Sequence, residues 1–224
     1  MESTAAPSVP APPLLLRLVK GGAIFLLLGV GGYFLLTRLP RYFVLAPESY
    51  GPYFWPRASW LLPHVVFGLI ATLAGPFQFV ARIRREHPTL HRMTGRIYLV
   101  SVALGAVAAL GLAFTTSLGW VYSTGLLGLA AVWLTTSGLA FAAIRRRRIA
   151  EHQRWMIRSY VVTFAFITFR VFEDGLAALG VGTQVERLTL AAWASWAVPL
   201  FVTQVVLEAR SIFGGHASRT SRVA

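Results

Sequence analysis

Residues 121–148 read VYSTGLLGLAAVWLTTSGLAFAAIRRRR. Up to Ile144 the run carries no charge, and then Arg145, Arg146, Arg147 and Arg148 follow in succession. A helix needs about 20 apolar residues to cross a bilayer. A charge-free run of that length, stopped by a block of cations, reads as a membrane span with its basic end at the cytoplasmic face. Working outward, five further runs have this character: 19–36, 60–80, 97–116, 155–172 and 188–207. The run 155–172 is the weakest, because it contains Arg158 and Arg170.

Composition agrees with the runs. The chain has 224 residues, 56% hydrophobic and only 13% charged. A soluble domain carries about 25% charged residues, so a soluble globular protein is excluded. Cysteine is absent, which removes disulfides, iron–sulfur clusters, cysteine–zinc sites and thiol catalysis. Nothing alternates with a period of two, so a β-barrel is not expected. The expected fold is an all-α integral membrane bundle of six transmembrane helices. Its four-helix core is the second to fifth spans, with the first and sixth peripheral. Pro76 is expected to kink the second helix, with Gly75 easing the bend. Residues 1–16, rich in Pro, Ala and Ser, read as a disordered cytoplasmic N-terminus and not as a signal peptide. Residues 17–210 form the six-span membrane domain, and 211–224 a basic cytoplasmic tail.

Net charge is +13. Six spans put Arg38, Arg41, Arg57, Arg170 and Arg187 on one side, and the other 16 of the 21 Lys and Arg opposite. The positive-inside rule then sets both termini in the cytoplasm. The expected location is the bacterial cytoplasmic membrane. The expected partners are the bilayer and anionic lipid on its cytoplasmic face, not nucleic acid.

Polar residues within spans are costly and therefore informative. His152, Ser159, Thr163 and Arg170 are spaced 7, 4 and 7, which returns each to within about 20° of one helical line. His91, Tyr98, Val102 and Ala109 align likewise, as do His64, Gly75 and Arg82. Such stripes point into a bundle; simple packing with satisfied hydrogen bonds is the plain alternative. His91 and His152 share a depth at the cytoplasmic side, which suits axial ligation of one b-type haem. Arg92, Arg96 and Arg154 could pair with its propionates, Trp155 and Met156 could pack on the ring edge, and Gly95 and Gly105 leave room for a flat macrocycle. Toward the outer side, His64, Arg170, Tyr53 and Asp174 are expected to line one polar cavity. His87 and His91 stand at i, i+4, but Pro88 between them argues against a metal centre. No carboxylate lies in mid-span, which argues against a proton-coupled carrier. Two function classes remain. One is a membrane redox protein with a single haem. The other is a non-enzymatic membrane component, either a small-molecule or lipid carrier or an assembly partner.

Two segments carry a resemblance. One is His64-Val-Val-Phe-Gly68 with Gly75-Pro76-Phe77-Gln78-Phe79, continuing to His91-Arg92-Met93-Thr94-Gly95-Arg96-Ile97-Tyr98. The other is His152-Gln153-Arg154-Trp155-Met156-Ile157-Arg158-Ser159-Tyr160, continuing through Thr163-Phe164 to Thr168-Phe169-Arg170. Together they resemble a family of uncharacterised bacterial polytopic membrane proteins, over about half the chain. That resemblance implies a fold and no activity. A more distant likeness is to ascorbate-reducible transmembrane b-type cytochromes, which carry haem-ligating histidines on four successive helices. It implies that His64, His91 and His152 occupy the first, second and fourth positions. The third is missing, since 121–144 contains no histidine, so one complete pair, His91 with His152, is implied.

Overall fold

The computed structural model describes residues 29–214. The expected N-terminus 1–16, most of the run 19–36 and the end of the expected tail lie outside the described residues. The chain divides into two compact units, one ending at Arg41 and one beginning at Tyr42. In the first, residues 29–37 are helical (α1), and the Thr37 hydroxyl donates back to the Tyr33 carbonyl at 2.7 Å.

The second unit holds α2 (Pro47–Phe54), α3 (Ala58–Ala74), α4 (Pro76–Phe79), α5 (Ala81–Glu86), α6 (Pro88–Phe114), α7 (Trp120–Arg145), α8 (Ile149–Thr163), α9 (Ala165–Ala178) and α10 (Gln184–Gly214). No strand occurs among the described residues, so the chain is all-helical there. Four stretches are long and apolar enough to cross a membrane: Pro47–Phe79, Pro88–Phe114, Trp120–Arg145 and Gln184–Ile212.

The run 155–172 is not one such helix. It is divided between α8 and α9 at Phe164, whose backbone leaves the helical region at φ −77°, ψ 0°. Neither Pro nor Gly stands there. Side-chain hydroxyls bond backbone carbonyls on both sides of Phe164. Thr163 donates to the Ser159 carbonyl at 2.9 Å, and Thr168 donates to the Ala165 and Ser195 carbonyls at 3.1 and 2.6 Å. Within α8 itself, Glu151, His152, Arg154 and Arg158 break the apolar run.

The Gly75-Pro76 step interrupts the second helix where the sequence expects a kink. Here α3 ends at Ala74, the one-turn α4 follows, and the chain becomes extended only at Val80, at φ −77°, ψ 108°. Gly75 is itself at helical angles, φ −57°, ψ −48°, so no special backbone conformation is asked of the glycine. Its missing Cβ makes room for a ring instead: an added Cβ would lie 2.0 Å from Tyr160 Cε2.

A buried core joins α3, α6, α7 and α8 through Ala71, Ala74, Tyr98, Val102, Ala106, Trp133, Ala140, Met156 and Val162. Alanine is frequent in it because lipid supplies no hydrophobic drive between helices, and close packing of small residues takes over. Helix α6 packs chiefly against α3 and α7, while α8 packs on α7 and touches α3. Thus α6 and α8 look at each other across the interior. Helix α10 lies against α7, α8 and α9, with Ala191, Ala192 and Ser195 fully buried.

Candidate functional site

The interior between α6 and α8 is crossed by hydroxyls. The Tyr98 hydroxyl, on a fully buried ring, lies 2.6 Å from Ser159 Oγ and 2.8 Å from Thr163 Oγ1. Helix α7 completes the cluster: Trp133 Nε1 donates to Thr163 Oγ1 at 2.9 Å, and Ser137 Oγ meets Ser159 Oγ at 2.7 Å. A buried polar group away from water must find a partner, and here each of these five side chains does. Beside them, the Tyr160 hydroxyl donates to the Thr72 carbonyl at 3.0 Å.

Seven residues before Tyr98 stands His91, and seven before Ser159 stands His152. Both are half-buried, and His152 is among the chargeable groups close to His91, with Arg84. His152 is oriented by α7, its Nδ1 lying 2.8 Å from the Ala140 carbonyl; that bond leaves Nε2 uncommitted. His91 Nδ1 is buried without a hydrogen-bond partner. The Phe77 backbone lies beside the ring but is not in bonding geometry with Nδ1.

The surroundings differ from the expected haem pocket in two respects. The faces of Gly95 and Gly105 are not vacant. A Cβ at Gly95 would meet Gln78 Oε1 at 3.0 Å, and one at Gly105 would meet the Trp133 ring at 3.3 Å and Phe67 Cβ at 3.4 Å. Gln78 is held there by donating to Thr94 Oγ1 at 2.8 Å. Arg154, moreover, stands two residues from His152, about 200° round the helix. It therefore shares the face of Arg158, which turns toward α10 and bonds Gln204. Trp155 carries the Arg158 guanidinium on its ring, 4.7 Å from the centroid. Arg92 and Arg96 are exposed.

At the other end, the expected cavity residues are divided. His64 is satisfied by the Gly105 carbonyl, 3.0 Å from its Nδ1. The Tyr53 hydroxyl is 2.6 Å from Thr116 Oγ1. Arg170 pairs with Glu173, one turn along α9, both largely buried. Tyr122, a buried ring, lies within electrostatic reach of Tyr53, Arg57, Arg170 and Glu173. Arg57 is 8% exposed and sits over the Tyr53 ring, 3.5 Å from its centroid, donating from Nε and Nη2 to the Tyr53 carbonyl at 3.0 and 2.7 Å. Asp174 has a partner of its own. Sequence reasoning passed over Arg57, Tyr122 and Glu173. The i, i+3 spacing of Arg170 and Glu173 was the available signal for the last of these.

No group of three or more His, Cys, Asp and Glu suited to holding a metal ion occurs among the described residues. A family model described as "Predicted membrane protein (DUF2306)" matches residues 61–207. No curated protein and no solved structure matches the chain.

Proposed function

The chain belongs to the DUF2306 family of predicted membrane proteins, and on that premise we propose that it is a membrane redox protein holding one b-type haem between His91 and His152. One observation carries the reading: a buried, unpartnered ring nitrogen on His91 stands near a histidine whose Nδ1 is tied to a carbonyl. A backbone acceptor at the far nitrogen fixes tautomer and ring orientation in ligating histidines. His91 and His152 would hold the group through their imidazole nitrogens. With the faces of Gly95 and Gly105 filled by Gln78, Trp133 and Phe67, binding the ring would require Gln78 to move aside. Arg92 and Arg96 supply cations, and Trp155 an apolar edge. Arg154, on the other face of α8, leaves the set. Bound there, a haem supplies one-electron exchange; the chain orients two imidazoles and, through the Tyr98 cluster, closes the interior beneath them.

The placement in the membrane belongs to the same proposal. Six spans, with α8 and α9 together making the fifth, a core of the second to fifth, and both termini in the cytoplasm, put the histidine pair at the cytoplasmic face of a bacterial cytoplasmic membrane. Residues 17–210 are then the membrane domain. His64, Tyr53, Arg170 and Asp174 belong to the outer half, where Tyr53 and Arg170 stand near Tyr122 and His64 bonds the Gly105 carbonyl.

A second reading, a non-enzymatic carrier or assembly partner, is favoured by the completeness of the Tyr98 hydrogen-bond cluster, which is what a purely structural interior requires. Expression with haem supply separates the two. The redox reading expects the purified, monodisperse chain to hold one haem per chain by pyridine haemochrome assay. A folded, colourless protein supports the second reading and ends the first.

A further inference from the structure

Arg158 is the charge with the least obvious reason to be where it is. It lies in the middle of α8, is 8% exposed, and has no carboxylate within ion-pair distance among the described residues. Its Nε and Nη2 both donate to one neutral oxygen, Gln204 Oε1, at 3.0 and 2.6 Å. Gln204 is aimed by its own amide nitrogen, which donates to Glu208 Oε1 at 3.1 Å. The Trp155 ring supports the guanidinium from one side. Nη1 makes no hydrogen bond, and it is not among the sealed, partnerless atoms of the described residues.

Glu208, bonded to Gln204, attracts the guanidinium electrostatically but forms no ion pair with it, so a guanidinium this buried still gains from an anion that meets it directly. Its planar fork matches phosphate oxygens. The next cation is in place: Arg154 lies at i−4 on the same face, about 6 Å nearer the start of α8, and interacts electrostatically with Arg158. Arg154 forms no ion pair among the described residues. Gln204, Val205 and Val206 of α10 are exposed, a face that meets lipid in the membrane placement proposed above. Arg145 to Arg148 mark this end of the bundle as the basic one, and Trp155 has the amphipathic ring of the headgroup depth.

We propose that Arg154 and Arg158, backed by Gln204 and Trp155, form a binding site for the phosphate of one anionic phospholipid at the seam between α8 and α10. Arg158 Nη1 donates to a phosphate oxygen at depth, Arg154 closes on the headgroup from the water side, and the acyl chains run along the exposed face of α10. The site rests on the membrane orientation proposed above, and it shares Trp155 but neither histidine with the proposed haem site.

The probes are phosphatidylglycerol, phosphatidylcholine and inorganic phosphate. The detergent-purified chain is offered equal amounts of the two lipids, and retained lipid is read by native mass spectrometry. The wild type is expected to retain one phosphatidylglycerol in preference to phosphatidylcholine. Arg154→Gln and Arg158→Gln should each lower phosphatidylglycerol retention about tenfold, the loss of one charge-assisted contact, without changing phosphatidylcholine. Arg158→Lys, which keeps charge and loses the fork, should fall between. Arg154 is half-exposed, so its variant tests the site without disturbing the α8–α10 seam. Equal retention of both lipids, or phosphatidylglycerol retention unmoved in Arg154→Gln, overturns the proposal. So does a thermal shift from inorganic phosphate that matches the lipid's and vanishes in Arg158→Gln, which would mark a free-anion site. An inverted orientation would show in reporter fusions and not in these arms.

Discussion

The Tyr98 hydroxyl meets the Ser159 hydroxyl at 2.6 Å across the bundle interior, and each residue stands seven positions after a histidine. The contact brings two stripes face to face and sets the register in which His91 and His152 approach one another.

The cluster is unequally sensitive. In Tyr98→Phe, Ser159 keeps Ser137 and Thr163 keeps Trp133, so no neighbour is orphaned and the expected loss is about 1 kcal/mol. Thr163→Val strands the Trp133 N–H as well as the Tyr98 bond, and about 2 kcal/mol is expected. Equilibrium unfolding in mixed micelles gives both values; the reverse order would contradict this account of the cluster.

Gly75 and Gly68 make a matched pair. Gly75→Ala drives a Cβ into the Tyr160 ring, whereas Gly68→Ala meets nothing within 4 Å. The first should cost about 1–3 kcal/mol by overpacking, and the second should be neutral or slightly stabilising through helix propensity. Combining Gly75→Ala with Tyr160→Leu should cost less than the sum of the two single changes; strict additivity would remove Tyr160 as the reason for the glycine.

Arg170 and Glu173 are a mostly buried ion pair, with side chains 29% and 16% exposed. Removing one partner leaves the other uncompensated, so Glu173→Ala should destabilise the chain by about 2–3 kcal/mol. Glu86→Ala, which breaks an exposed pair with Arg82, should cost under about 0.5 kcal/mol. Thermal unfolding of the two variants side by side makes the comparison, and equal shifts would count against a buried outer cluster.

Orientation can be read in cells. A reporter fused after Arg148 is expected to be cytoplasmic, and reporters after Gly119 and Val181 exported. An exported signal from the Arg148 fusion would end the six-span arrangement.

Much of this was legible in residues 60–207. Apolar runs bounded by cations announced the long helices, and the spacing of His91 with Tyr98 and of His152 with Ser159 and Thr163 put each set on one line. The α7 contribution was not legible in the same way. Trp133 and Ser137 share a face at i, i+4, but neither titrates, and in an apolar run they read as ordinary filling. The break at Phe164 was hidden because no Pro or Gly marks it, and the Thr168 bond to the Ser195 carbonyl beside it depends on what α10 brings alongside. The packing role of Gly75 was not legible for a related reason: its neighbour, Tyr160, is distant in sequence.

The measurement closest to the central claim is the reduced-minus-oxidised absorption spectrum of the haem-supplied protein and of two variants, His91→Ala and His152→Ala. Bis-histidine ligation predicts a sharp low-spin α-band in the wild type that is lost in each variant, while Arg158→Gln leaves it intact. A folded wild type with no Soret band, or a spectrum unmoved by both histidine substitutions, would contradict the account.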